Sequence, residues 1–224
     1  MIKNISNLGD AAVYCDFGDE VNQEINSKVI NYFQNLKESK FEGITNLTPS
    51  YNKLIVSFDL SITNFEKTKK IIENLEIKKN LSISKKKIQI PVCCEEEYAL
   101  DLKKLERKLN KPTGEILETF FSKEYFCYMT GFIAGMPFLG DIDKNLHAKR
   151  LETPRVKVPK GSIGLTEQFC NIYTFESPGG WNIIGNTPLN VFDSLNEDNP
   201  NLINPGDTVS FIKINKEKYK NYNE

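Results

Sequence analysis

GFIAGMPFLGDIDKNLHAKRLETPRVKVPKGSIGLTEQFCNIYTFESPGGWNIIGNTP, residues 131–188, contains eight of the thirteen glycines and five of the ten prolines of this 224-residue chain. Glycine and proline at this density set the backbone conformation where neither a helix nor a plain strand can form. The same stretch holds the single His, the single Trp and two of the three Arg. Because the chain otherwise uses Lys as its cation, Arg here indicates a need for a planar cation with several donors.

Short strand-like segments surround these turns and continue toward the end of the chain. They are VKVP, GSIGL, CNIYTFE, WNIIG, LNVFD and TVSFIKI. Short strands at close spacing, separated by turn residues, are typical of an all-β barrel or sandwich. We therefore expect a β-barrel domain at 124–224, preceded by a helical connector at 93–123 with short helices at 101–109 and 112–121.

The N-terminal part of the chain has a different pattern, in which strands and helices alternate. Period-2 strands and period-3.6 helices are predicted in the order βαββαβ, at 11–17, 20–37, 43–47, 54–58, 64–76 and 88–92. This order is that of the ferredoxin-like fold, in which two helices cover one face of an antiparallel sheet. We therefore expect an α+β protein with a ferredoxin-like domain at 1–92.

The bulk composition limits the classes of function. A net charge of −1 and a pI of about 6 argue against a general nucleic-acid or anionic-membrane surface. No apolar stretch is long enough to span a bilayer, and no signal peptide is recognisable at the start. The five cysteines have no CxxC spacing, and one His excludes an HExxH site, so we expect reduced thiols in a cytoplasmic protein and no metal site.

Four motifs in order, GFIAGMPFLGDID, TPRVKVPKGSIGL, IYTFESPGGWNIIGNTPL and NPGDTVSF, resemble those of the allophanate-hydrolase-subunit-1 family. The similarity extends to LGDAAVYCDFGDEVNQEIN near the start and to IPVCCEEEY at the domain junction, so it covers nearly the whole chain. The family includes the B subunit of the bacterial 5-oxoprolinase and the Kip inhibitor (KipI) of a sporulation histidine kinase. The resemblance implies a small N-terminal α/β domain followed by a cyclophilin-like β-barrel.

The resemblance leaves three functions open. The first is the B subunit of an ATP-dependent 5-oxoprolinase, inactive alone, which hydrolyses 5-oxoproline to glutamate with a carboxyltransferase-like subunit-2 protein and a third subunit. ATP with Mg²⁺ would then bind in the assembled complex, and this chain alone would bind no cofactor. The second is a KipI-type regulator that inhibits autophosphorylation of a histidine kinase. The third is half of a biotin-dependent urea carboxyltransferase, for which the chain lacks a Met-Lys-Met biotin-accepting segment.

Two arginines are implied as binding residues because they match arginines of the family motif. The forked donors of Arg150 and Arg155 suit a carboxylate or a phosphate. The alternative is a structural ion pair with one of the nearby acidic residues, which are Asp143, Glu152 and Glu176.

Two further residues are candidate catalytic groups. His147 precedes the arginines, and an ordinary histidine titrates close to neutral pH, which suits acid–base work. Glu176 precedes the SPGG turn and could hold a water or a substrate amide. The alternatives are a surface histidine and a carboxylate that accepts N–H bonds from the turn.

The remaining candidate substrate-binding residues wall or shape the expected pocket. An apolar wall, an anion-binding turn, a glycine pair with free N–H groups and a rim indole are the roles considered. Barrel corners, β-turns and ordinary packing explain the same residues. These candidates are Phe138, Lys160, Ser162, Gly179, Gly180 and Trp181.

The chain departs from the family pattern at several positions. Ala134 and Met136 stand where the family usually has Pro and Phe, and Phe120 aligns with a common His. The segment TEQFCNIYT replaces a GGxxTGIYP-like segment. These differences weaken the assignment of individual catalytic residues and leave the expected fold unchanged.

Overall fold

The computed structural model describes residues 2–78 and 86–222. The chain divides into two compact units, Met1–Ser84 and Lys85–Glu224. The strand predicted at 88–92 lies in the second unit, so the first unit ends before it.

The first unit is a four-stranded antiparallel sheet with two helices. The sheet has the order β1-β2-β4-β3. Its elements are β1 (Asn4–Asn7), β2 (Ala12–Asp16), α1 (Gln23–Ser39), β3 (Ile44–Pro49), β4 (Lys53–Phe58) and α2 (Phe65–Glu73).

Alternation along the two central strands builds the core of this unit. Val13 and Cys15 of β2 are fully buried, as are Leu54 and Val56 of β4, and the residues between them are only half-buried. Apolar residues of both helices pack against the buried face, which gives each helix its single apolar stripe. Helix α1 begins where the Asn22 side chain accepts the Ile25 N–H at 2.9 Å.

The ferredoxin-like arrangement is not confirmed, because the last predicted strand is not part of this sheet. That strand is β5 (Lys87–Cys93), and it pairs with β12 and β13 of the second unit. The edge beside β2, where a ferredoxin-like sheet places its last strand, is occupied by β1. Alternation identifies a strand but not its partner, and the short sequence NISN of β1 gives no strand signal.

The second unit confirms the predicted β-barrel. Seven strands close in the order β10-β7-β6-β13-β5-β12-β9. Strands β5 and β13 are parallel along seven residue pairs, whereas the other paired barrel strands are antiparallel. The barrel strands after β5 are β6 (Glu124–Thr130), β7 (Pro137–Gly140), β9 (Ser162–Thr166), β10 (Phe169–Ile172), β12 (Asn182–Asn186) and β13 (Thr208–Ile214).

Two predicted strands are not barrel strands. VKVP forms β8 (Arg155–Val158), which pairs with β11 (Ser177–Gly179) in a separate two-stranded ribbon. The segment LNVFD makes only one isolated bridge, between Phe192 and Asn201.

Both predicted short helices belong to the second unit and cover its barrel. They are α3 (Leu102–Leu109) and α4 (Thr113–Phe121), and a last helix, α5 (Lys216–Lys220), follows the barrel. Phe120 of α4 stacks on Tyr125 and Phe211 at ring-centroid distances of 5.2 and 4.9 Å. Among the described residues, no helix combines the length and apolar character needed to cross a bilayer.

Candidate functional site

A cleft of about 800 Å³ in the second unit contains three of the sequence-predicted site residues, His147, Arg150 and Arg155. Its walls come from helix α3, from the loop that joins the 3-10 turn Lys144–Leu146 to β8, and from β8 itself. The lining residues are Lys104, Lys108, Leu109, His147, Ala148, Lys149, Arg150, Leu151, Glu152, Thr153 and Arg155.

Hydrogen bonds to the barrel fix the loop that carries most of these residues. The Leu151 N–H donates to the Gly180 carbonyl at 2.7 Å, and the Glu167 N–H donates to the Ala148 carbonyl at 2.8 Å. These two contacts hold the backbone of the loop at separate points, so its side chains project from a fixed position.

The cleft concentrates positive charge in a protein that is nearly neutral overall. Five cations line it, and the two carboxylates at the site are Glu152 and Asp101, which leaves a local net charge of +3 with His147 neutral. The whole chain carries 29 Lys and Arg against 30 Asp and Glu. A cleft of one sign focuses the field and attracts anions.

Arg155 makes a bidentate ion pair with Asp101, the residue that precedes α3. Its Nη1 and Nη2 donate to Asp101 Oδ2 and Oδ1 at 2.8 and 2.6 Å. The Asp101 side chain is fully buried, and its Oδ2 also accepts the Ile183 N–H at 2.8 Å. The partner is therefore none of the three nearby acidic residues that the sequence offered, and most of the Arg155 fork is already used.

Arg150 is exposed and lies against an aromatic pair. Its guanidinium carbon is 5.8 Å from the ring centroid of Trp181, within the range of a cation–π contact. Trp181 is buried and meets Phe138 edge-to-face at 5.6 Å. Among described residues no carboxylate is within ion-pair distance of Arg150, so its N–H groups are available to a ligand.

One buried amide places two lysines of the cleft next to each other. Asn182 Oδ1 accepts from Lys108 Nζ at 3.3 Å, and Asn182 Nδ2 donates to the Lys149 carbonyl at 3.1 Å and the Leu165 carbonyl at 3.0 Å. Because Asn182 is fully buried and held at three points, it links α3 to the loop beside it.

The glycine pair lies at the edge of this region and allows close packing. Gly179 pairs with Arg155 between β11 and β8, and a Cβ at Gly179 would overlap the hydroxyl of Tyr173. Burial raises the pKa of Tyr173, and the nearby Arg150 and Arg155 act in the opposite direction. Gly180 has more room, since the nearest atom that a Cβ there would meet belongs to Pro154, at 3.5 Å.

The structure places other predicted residues apart from the cationic cleft or in ordinary contacts. Glu176 pairs with Lys157 at 2.9 Å, with both side chains mostly exposed. Lys160 Nζ donates to Asn190 Oδ1 at 2.8 Å, and buried Ser162 faces Asn186 Nδ2 at 3.4 Å. These contacts neither require nor exclude a ligand.

His147 does line the cleft, at its exposed edge. A ring nitrogen, Nε2, lies 3.2 Å from the Ile142 carbonyl, so a protonated Nε2 donates to it. The other ring nitrogen then remains the acceptor that an acid–base role needs.

Sequence reasoning missed Asp101, Lys104, Lys108 and Lys149 as members of the site. Asp101 carried only the signal of a helix start, and the lysines of α3 read as its solvated face. The spacing of Lys104 and Lys108 by four residues does place both on one side of α3. The sequence does not reveal which surface that side faces.

Comparison with known proteins gives consistent matches along the chain. The model of the family described as carboxyltransferase domain, subdomain C and D, matches residues 3–203. The chain is 32% identical over 232 residues to the 5-oxoprolinase B subunit of Bacillus subtilis (strain 168), covering 98% of this chain and 96% of that protein. It is 34% identical over 214 residues to the 5-oxoprolinase B subunit of Haemophilus influenzae, covering 93% and 97%.

A solved structure also supports the fold. The crystal structure of TTHA0988 superposes with a TM-score of 0.82 at 25% sequence identity and covers 92% of this chain. The match covers 40% of that longer chain.

Proposed function

The chain belongs to the family of the carboxyltransferase domain, subdomain C and D, and from this membership we propose that it is the B subunit of an ATP-dependent 5-oxoprolinase complex. Two curated relatives that match it over nearly their full length carry that name. In this proposal the chain acts with a carboxyltransferase-like subunit-2 protein and a third subunit, and the complex hydrolyses 5-oxoproline to glutamate. The chain alone is inactive.

The chemistry of this reaction explains why a cationic cleft is useful. The lactam of 5-oxoproline is a resonance-stabilised amide, and phosphorylation of its carbonyl oxygen converts that oxygen into a leaving group and exposes the carbon to water. The substrate also carries a carboxylate. A site for this reaction must therefore hold several anionic groups, which Arg forks and Lys ammonium groups do well.

The observation that carries the proposal is the position of Arg150 in the cleft. Its guanidinium lies on the buried indole of Trp181, while the cleft around it has a local net charge of +3. An arginine whose plane is supported by an aromatic ring presents its N–H edge with little loss of side-chain entropy on binding. ATP with Mg²⁺ would supply the phosphoryl group, and the positive cleft fits a phosphate-bearing ligand in charge.

The experiment is an assay of 5-oxoproline-dependent ATP hydrolysis and glutamate formation by this chain alone and by the complex with its two partner subunits. We expect activity only in the complete mixture. Arg150→Ala should lower kcat/KM by about tenfold or more, because a hydrogen bond to a charged group contributes about 1.5–3 kcal/mol.

The matched control is Lys103→Ala, which removes one positive charge from the same unit at an exposed lysine paired with Glu96. It should leave turnover and assembly unchanged. A stable complex without 5-oxoproline-dependent ATP hydrolysis would refute the proposed function.

A further inference from the structure

The cationic cleft contains more positive charge than one carboxylate needs. In the described part of the chain, no ion pair within 4 Å involves Lys108, Lys149 or Arg150, whereas Lys103, on the same helix as Lys108, is paired with Glu96. Arg155 is neutralised by Asp101. Three cations that converge without counter-charges repel one another, so the cleft gains most from a ligand with two negative charges.

The three cations are brought together by the fold rather than by their own flexibility. The buried amide of Asn182 accepts from Lys108 Nζ and donates to the carbonyl of Lys149, and Arg150 is the next residue along the loop. Asn182 is fully buried and has three hydrogen bonds, so it holds α3 and the loop at a fixed spacing. A preorganised set of donors binds an anion without the free-energy cost of assembling the site.

The donor types also indicate the ligand. Two ammonium groups and one guanidinium supply many N–H donors in several directions, which match the tetrahedral oxygens of a phosphate better than the planar pair of a carboxylate. Beneath Arg150 lies the face of a single indole, that of Trp181.

We propose that Lys108, Lys149 and Arg150 form a binding site for a phosphate-class dianion, and that this chain binds it without its partners. The inference deepens the proposed function, on which it rests only for the source of the phosphate, a nucleotide or a phosphorylated intermediate. The site prefers a dianion to the single carboxylate of 5-oxoproline.

Trp181 gives a direct readout because it is the only Trp in the chain. A ligand that engages Arg150 changes the environment of the indole beneath it. Fluorescence titration of the isolated chain, with calorimetry for the variants, would use inorganic phosphate, ATP with and without Mg²⁺, acetyl phosphate, 5-oxoproline and acetate. We expect saturable binding of phosphate-bearing probes, weaker binding of both monocarboxylates, and weakening with added salt.

The variants separate the site from general charge. Lys149→Ala and Arg150→Ala should each weaken phosphate binding about tenfold, in line with the loss of one charge-assisted hydrogen bond. Lys103→Ala, on the other side of α3, should change it less than about twofold, since exposed charges at a distance are screened. Equal weakening by Lys103→Ala, or equal affinity for acetate and phosphate, would overturn the proposal, as would the absence of any binding.

The source of the phosphate follows from comparing the probes. Tighter binding of ATP than of phosphate and acetyl phosphate assigns the cleft to the nucleotide, and the reverse order assigns it to a phosphorylated intermediate. A complex that turns over 5-oxoproline while the isolated chain binds no phosphate overturns this inference alone. Phosphate binding in a chain whose complex lacks that activity overturns only the proposed function.

Discussion

Arg155 and Asp101, 54 residues apart in sequence, form a bidentate ion pair in which the carboxylate is fully buried. The same carboxylate accepts the Ile183 N–H at 2.8 Å. One side chain therefore joins the start of α3, the ribbon strand β8 and the barrel strand β12. Since α3 and β8 form two walls of the cleft, this pair fixes the distance between those walls.

Removing the Arg155 side of this pair should destabilise the second unit. In Arg155→Met the buried Asp101 carboxylate keeps the Ile183 N–H and loses both guanidinium bonds. We expect the free energy of unfolding to fall by about 3 kcal/mol, because a buried charge left without its partner costs about 3–5 kcal/mol and Arg155 is partly exposed. Urea unfolding followed by Trp181 fluorescence measures the change.

The control for this variant is Lys87→Met. Lys87 pairs with Glu124 at 3.0 Å on the same barrel, but both side chains are mostly exposed. An exposed pair contributes less than about 1 kcal/mol, so the control should unfold close to the wild type. If both variants lose the same stability, the Arg155–Asp101 pair has no special structural role.

The sequence could predict Arg155 as an important residue but not its partner. Rarity of Arg and the family motif identified it, whereas Asp101 had only the signal of a helix start. Ion-pair partners far apart in sequence depend on how helices dock on the barrel, and no periodicity encodes that. Arg150 was predicted for the same reasons, and its place on Trp181 follows from the barrel geometry.

The fold shows the same limit. Local patterns predicted the two helices of the first unit and most barrel strands, because alternation and helical spacing are local properties. The position of β5 could not be predicted this way, since Ile90 and Val92 fit a buried strand of either unit. Only its parallel pairing with β13, which lies more than a hundred residues later, assigns it to the barrel.

Gly179 should tolerate no side chain, because its backbone lies against the Tyr173 hydroxyl. Gly179→Ala forces a Cβ into that hydroxyl and should lower the free energy of unfolding by about 1–3 kcal/mol, the usual cost of overpacking. Removing the hydroxyl in Tyr173→Phe should recover part of the loss in the double variant. Thermal and urea unfolding of the single and double variants provide the measurement.

Gly180→Ala is the matched comparison for this steric prediction. A Cβ at Gly180 would meet Pro154 at 3.5 Å, an ordinary van der Waals distance. Its stability should therefore stay within about 1 kcal/mol of the wild type, with any gain coming from reduced freedom of the unfolded chain. Equal losses at both glycines would show that chain flexibility, rather than the Tyr173 contact, decides the outcome.

Alkaline pH should destabilise the barrel through its buried thiols. Cys127 and Cys170 are fully buried, and burial raises the pKa of both. In the unfolded chain these thiols lose their protons above about pH 8.5, while in the native barrel they keep them. The native state then binds more protons, so the free energy of unfolding falls as pH rises from about 8.5 toward the raised pKa values, by up to about 1.4 kcal/mol per pH unit for each thiol. Urea unfolding at pH 8, 9 and 10, followed by Trp181 fluorescence, should show a shallower decline in Cys127→Ala and Cys170→Ala than in the wild type, and identical slopes would contradict the assignment.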